Sequence, residues 1–474
     1  MPLIRYDFNN LMSERIGAHG ISAAEIDALQ PRLQQAFENV RRMRMDKKLG
    51  FFELPYNFTL VDEINALASQ LKDQFENFVV IGIGGSALGN IAIHSALNHP
   101  EYNLLPASRR RGLRLFVPDN IDPDRLSGVL DTLDLKKTAF NVVTKSGNTA
   151  ESISTFLIAR DRVLRAVGEE KHARHFVFTT DAEKGELRKI APRFNYRCLT
   201  IPGNVGGRFS VLSSVGLLSA AVTGVDIRAL LIGAQKVDES QRMDLTNARP
   251  DIWKNPALLG AGFHYLLDVK KKKNIHIMYS YSHRLRDVAD WFRQLWAESL
   301  GKRVNRKGEV VHVGQTPEKS VGVTDQHSQV QLYVEGPYDK VITFLSVDQF
   351  DTDMIIPRAF DDVEGFAYLG EKRLGDLFHY EERATELVIT QTGRPNCAIR
   401  VPRVNEETLG ALFFLLQLQT AFIGELYDIN AYDQPGVEQG KNFAYGLLGR
   451  KGYEDRKKEF ESAPKADPRY VAYL

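Results

Sequence analysis

From Phe78 onward, short uninterrupted apolar runs alternate with amphipathic stretches. Phe78-Val79-Val80-Ile81 meets a glycine loop, and Leu113 to Val117 ends at Pro118-Asp119. Asn141-Val142-Val143 leads into Thr144-Lys145-Ser146, and His175 to Phe178 leads into Thr179-Thr180-Asp181. Runs of this kind, separated by helical patterns, predict βα units around a parallel sheet buried on both faces. Each run ends in small polar residues, at the edge where open α/β sheets bind ligands. A second series starts near Asn274, with strands predicted at Ile275 to Tyr279, Val310-Val311 and Val341 to Leu345, and a helix from Leu285 to Leu300. Its texture matches the first series, as an old duplication would leave, although no residue-level repeat connects the two.

The flanks read differently. The first fifty residues are polar and helix-prone and end in a basic run, Arg41 to Lys48, as expected of an extension packed on a main domain. The most apolar stretch, Leu409 to Ile423, is broken by Gln417, Gln419 and Thr420 and followed by Gly424-Glu425, so it predicts a buried helix from Thr408 and no membrane span. The pattern divides the chain into an N-terminal helical extension (1–50), a first α/β domain (51–245), a second (246–424) and a C-terminal segment (425–474).

Composition narrows the function classes. At 474 residues the chain exceeds what one core usually supports. Its 43% hydrophobic and 26% charged residues suit a soluble enzyme. A net charge of +1 gives no global attraction for nucleic acid or an anionic membrane. The run Lys270 to Lys273 reads as a solvated helix terminus. Cys198 and Cys397 are too far apart for a zinc knuckle or a CxxC motif, and a reducing compartment fits. The segment Met1 to Asp7 lacks the features of a signal peptide, so a cytoplasmic location is expected.

Six segments carry candidate chemistry. Gly82-Ile83-Gly84-Gly85-Ser86-Ala87-Leu88-Gly89 follows a strand and opens a helix, so its amides can approach an anion. A dinucleotide fingerprint would need an acidic residue about twenty positions on, and Asp119 comes later than that. Thr144-Lys145-Ser146-Gly147-Asn148-Thr149 offers hydroxyls, a lysine and free amides in one loop, which suits either a phosphate cradle or an ordinary helix cap. In Gly206-Gly207-Arg208-Phe209-Ser210 the arginine can face a developing oxyanion or form a surface ion pair. On the Trp291 to Ser299 helix, Gln294 and Glu298 share a face. Flanking Trp296, Ala297 and Leu300 would partly desolvate the carboxylate and suit it to act as a base, the alternative being an ordinary solvated helix glutamate. His327, within Asp325 to Gln329, can shuttle protons near neutral pH. Lys441 closes Tyr432 to Lys441, a turn at Pro435-Gly436 before a helix start. Trp291 and Trp296 read as core residues, and His172, His175 and His283 as packing or surface residues.

Taken together and in this order, the motifs resemble the glucose-6-phosphate isomerase family, its bacterial branch most closely, from about Phe78 to Gly449. The resemblance implies two sugar-isomerase (SIS-type) doubly wound parallel-sheet domains with helical extensions, a sugar-phosphate substrate and no cofactor or metal. It implies that Thr144, Ser146, Thr149 and the Lys145 amide bind the phosphate, and that Gly85 and Ser86 line the sugar site. Glu298 would move the proton between carbons 2 and 1, Arg208 would stabilise the enediolate beside Gln294, and His327 and Lys441 would assist ring opening. The histidine would come from the partner subunit of a homodimer. A non-catalytic sugar-phosphate sensor on the same fold is the alternative. It would have lost the base, yet Glu298, Arg208, His327 and Lys441 are all present.

Overall fold

The computed structural model describes residues 2–242 and 251–474, so the boundary expected at 245/246 lies outside the described residues. Two compact units are formed, Met1–Ala431 and Tyr432–Leu474. The strands are β1 (Arg5–Asp7), β2 (Asn77–Ile81), β3 (Arg114–Phe116), β4 (Thr138–Val143), β5 (Phe176–Asp181), β6 (Arg197–Ile201), β7 (Ile275–Tyr281), β8 (Lys302–Val304), β9 (Val310–Val313), β10 (Thr316–Val321), β11 (Lys340–Val347) and β12 (Asn396–Val401). The helices used below are α1 (Ala23–Met45), α2 (Leu88–Leu97), α3 (Ala150–Val167), α4 (Ile227–Ser240), α5 (Pro256–Val269), α6 (Arg286–Leu300), α7 (Leu374–Gln391), α8 (Glu406–Leu426) and α9 (Glu438–Leu447).

The first sheet has the order β3-β2-β4-β5-β6, all parallel. Every residue of β2 and β4 is buried, because helices cover both faces. Val79, Ile81, Phe140, Val142, Phe176 and Phe178 pack on Leu126, Val129, Phe156, Ala159 and Val163. The second sheet has the order β10-β7-β11-β12-β1. Its first four strands are parallel, and β1 closes the edge antiparallel to β12. The fold is α/β with two doubly wound sheets, and the opening residues supply a strand of the second.

α1 begins at a capping box, in which the Glu25 amide donates to Ser22 Oγ and the Ser22 amide to Glu25 Oε2, at 3.2 and 2.9 Å. It packs on α8, which also touches α4 and α5. α8 is long and apolar enough to cross a membrane, but every residue from Thr408 to Leu426 is buried within the fold. Trp291 and Trp296 are core residues. His172 and His175 are buried on Tyr196 and the Thr138 carbonyl, and His283 is exposed.

Two expectations need correction. The strand at Val310 exists, but it pairs antiparallel with β8 in a separate hairpin and does not join the second sheet. Its residues are partly or fully exposed, so its valines reflect strand preference and not core burial. Lys273 is not solvated: it is 1% exposed, its ammonium donates to the Tyr338 carbonyl, and it lies 5.5 Å from the Tyr338 ring centre. The chain leaves α5 at Lys270 and dives into β7, carrying the last lysine of the run inward.

Candidate active site

The loop after β4 turns at Gly147, where φ is +67° and a side chain would sit 2.9 Å from Gly185 Cα. Thr149 then stands as the N-cap residue of α3, but its hydroxyl makes no capping bond to the helix. Instead Thr144 Oγ1 and Thr149 Oγ1 share a hydrogen bond at 2.7 Å. Ser146 Oγ lies 3.3 and 3.2 Å from these two oxygens. Three clustered hydroxyls in front of an uncapped helix start suit an anion cradle better than an ordinary cap. The Lys145 ammonium points elsewhere and donates to the carbonyls of Gly203 and Val205 at 2.7 and 2.9 Å. Burial lowers its pKa from the ordinary lysine value, opposed by Asp181. Its side chain thereby fastens the cradle to the segment that leads into Gly206-Gly207-Arg208.

That segment meets the glycine loop of β2. A Cβ on Gly85 would lie 2.3 Å from the Gly207 carbonyl carbon and 2.7 Å from the Arg208 amide nitrogen, so glycine alone permits the contact. One on Gly84 would lie 2.9 Å from Gln294 Nε2. Ser86 ends the same short 3-10 turn, Gly84–Ser86, and is half-buried.

Arg208 is 2% exposed. Its Nε donates to Ser299 Oγ at 2.7 Å, Nη2 to the Ala431 carbonyl at 2.6 Å and Nη1 to Glu298 Oε2 at 3.3 Å. Gln294 Nε2 donates to Glu298 Oε1 at 3.0 Å, as expected for residues one helical turn apart. Gln294 Oε1 is buried without a protein partner among the described residues. The Glu298 side chain is 33% exposed, and its polar contacts are Gln294 and Arg208. The expected apolar jacket is therefore displaced: Trp296 packs on His264, His276 and Phe292 in the core.

A buried cation beside a partly exposed carboxylate, next to an anion cradle, suits proton transfer at a carbon whose neighbouring oxygen gains charge. A model of the phosphoglucose isomerase family matches residues 65–466. The chain belongs to the phosphoglucose isomerase family. It is 44% identical over 469 residues to the glucose-6-phosphate isomerase of Carboxydothermus hydrogenoformans, covering 99% of both chains. It is 43% identical to that of Rubrobacter xylanophilus, covering 96% of this chain and 100% of the relative. Among solved structures, a hypothetical protein of Thermus thermophilus superposes with a TM-score of 0.82 at 35% identity, covering 94% and 99% of the two chains. A glucose-6-phosphate isomerase of Chlamydia trachomatis has the same fold, with a TM-score of 0.78 at 21% identity and coverage of 95% and 94%.

The structure of this phosphoglucose isomerase family member thus brings Gly85, Ser86, Lys145, Arg208, Gln294 and Glu298 into one connected neighbourhood with the hydroxyl cradle. His327 is not part of that network. It ends an exposed 3-10 turn, Thr324–His327, that follows β10. The turn is held by Asp325, which accepts from the Val321 amide at 2.7 Å and Ser328 Oγ at 2.6 Å. Lys441 lies on α9 in the C-terminal unit, where it pairs with Glu438 at 3.4 Å. Sequence reading missed Ser299 and the Ala431 carbonyl as acceptors for Arg208. It also missed Lys302, whose buried ammonium donates to the Glu298 carbonyl at 2.6 Å. Only the adjacency of Ser299 to Glu298 could have suggested any of these. Among the described residues no group of three or more His, Cys, Asp or Glu is arranged to hold a metal ion.

Proposed function

We propose that this chain reversibly isomerises glucose 6-phosphate and fructose 6-phosphate through a cis-enediol(ate), as an enzyme of glycolysis and gluconeogenesis in the cytoplasm. The observation that carries the reading is the Arg208–Glu298 pair beside the hydroxyl cradle. Thr144, Ser146, Thr149 and the Lys145 amide hold the phosphate, and Gly85 and Ser86 line the sugar. Glu298 removes the proton from one carbon and returns it to the next. Arg208 faces the oxygen that gains charge, a type of stabilisation worth roughly 3–4 kcal/mol per donor. Gln294, which positions Glu298, offers its unpartnered Oε1 to a sugar hydroxyl. The remote phosphate contributes binding energy that keeps the reacting carbons in register. Each step moves a proton, so electrons need no external acceptor.

Ring opening falls to Lys441 and to the His327 of a second copy in a homodimer. The exposed His327 supports this, as does the long excursion between β11 and α7. There Met354, Ile355, Phe360, Phe366 and Tyr368 are 57 to 67% exposed. Apolar surface on that scale marks an interface. The test is a coupled assay that follows glucose 6-phosphate formed from fructose 6-phosphate in the presence of a chelator. Fast turnover supports the reading, and a folded dimer that binds the substrate without turnover would replace it with the sugar-phosphate sensor.

A further inference from the structure

Among the acceptors that hold the Arg208 guanidinium, three are of two kinds. Ser299 Oγ and the Ala431 carbonyl are neutral and accept at 2.7 and 2.6 Å. The Glu298 carboxylate is charged, yet its contact is the longest of the three at 3.3 Å. Ser299 and the Ala431 carbonyl thus hold the planar fork at shorter range than the base does. This matters for a base that works by taking up a proton. When Glu298 accepts a proton it loses its charge, and an arginine held by that carboxylate alone would lose its partner as negative charge builds on the substrate oxygen. A hydroxyl keeps its hold through that change.

We infer that Ser299 is a positioning residue, which holds the Arg208 guanidinium in place while Glu298 is protonated. The inference rests on the isomerase reading above. Ser299 is fully buried, and it follows Glu298 directly on α6, so the base and the anchor of the cation move as one rigid element. Lys302 fixes the same last turn from below through the Glu298 carbonyl. Removing the Ser299 hydroxyl leaves the buried Arg208 Nε without this acceptor and frees the fork to tilt.

The experiment compares wild type, Ser299→Ala, Ser299→Thr and Arg208→Lys, and the double variant Ser299→Ala/Arg208→Lys, in the coupled assay, with thermal melting to measure the folded fraction. The expected result is a kcat about tenfold or more lower in Ser299→Ala, with KM within about twofold, because the interaction is needed in the transition state and not for substrate binding. Ser299→Thr, which keeps the hydroxyl, retains most of kcat. In the Arg208→Lys background the alanine change costs little more, since its effect acts through the guanidinium. If Ser299→Ala does not fold, Ser299→Cys, of similar volume but a poor acceptor, reports the same loss of kcat. Unchanged kcat per folded molecule in Ser299→Ala, or an equal loss with and without Arg208, overturns the inference. A wild-type chain without isomerase activity overturns the reading beneath it, and the two failures are distinguishable.

Discussion

In the first sheet β2 starts the unit, β3 lies on one side of it and β4 on the other; in the second, β7, β10 and β11 repeat that arrangement. The loops after β4 and β11 are therefore counterparts, and so are those after β2 and β7. Their chemistry is opposite. After β4 come the hydroxyls of Thr144, Ser146 and Thr149, with no carboxylate before Glu151. After β11 come Asp348, Asp351 and Asp353. Arg284, from the loop after β7, pairs with Asp351, and Asp353 accepts from the Gly375 amide at 2.9 Å and pairs with Arg373. A phosphate would meet like charge there. The half built on the second sheet contributes differently: α6, the helix that follows β7, carries Gln294, Glu298 and Ser299, and it packs against α2, the helix that follows the glycine loop. On the proposed reading, a repeated strand arrangement divides its work, one half holding the anion and the other presenting the base.

The comparison can be broken in several ways. Glu298→Gln removes the proposed base beside the second sheet and is expected to lower kcat by about 10³-fold or more with little change in KM, read in the coupled assay. Thr144→Val combined with Thr149→Val empties the cradle of two hydroxyls and is expected to raise KM for fructose 6-phosphate by about 10- to 100-fold. Asp351→Asn, in the counterpart loop, is expected to leave KM within about twofold; an equal effect in both loops would undo the contrast. Gly85→Ala forces a methyl against Gly207 and is expected to lower kcat by roughly tenfold through displacement of Arg208, with a lowered melting temperature.

The smallest effect concerns acid stability. In the second sheet β7 carries His276, whose ring centre lies 4.0 Å from that of His264 of α5, whereas β2 holds only apolar residues beyond Asn77. Burial lowers the pKa of His264 to about 3, opposed by Gln315, and pushes that of His276 well below the ordinary value, with His264 adding to the shift. Both would protonate near pH 6.5 in the unfolded chain. Stability is therefore complete above about pH 6.5 and falls as the pH drops toward 3, by up to about 1.4 kcal/mol per pH unit for each histidine. Melting temperatures of wild type and His264→Gln at pH 7 and pH 5 test this, and the variant is expected to lose less on acidification.

Much of the scaffold was legible because its central strands are buried on both faces and so read as apolar runs. Of the edge strands, β3 was legible as the run Leu113 to Val117, but β1, β6 and β10 were not. β6 alternates buried and exposed residues, and β10 reads Thr-Pro-Glu-Lys-Ser-Val, with no run to recognise. The site residues were legible as motifs and by their resemblance to a family. Apart from Gln294 with Glu298, their long-range contacts were not, because they join segments 58 to 223 positions apart, such as Lys145 with Gly203 and Arg208 with Ala431. The neighbours expected around Glu298 were misplaced for a related reason. Helical spacing shows which residues share a face with it, but not that Trp296 turns toward β7 while the carboxylate meets Arg208.

The central claim is that Glu298 carries a proton between neighbouring carbons, and isomerising fructose 6-phosphate in deuterated water tests it most directly. The carboxyl group is one-third exposed, so a proton it holds can exchange with solvent before it returns. Deuterium should therefore appear at carbon 2 of glucose 6-phosphate with the wild type, and neither exchange nor product should appear at comparable rates with Glu298→Gln. Rapid turnover with complete retention of the original hydrogen, or exchange that persists in the variant, would contradict the account.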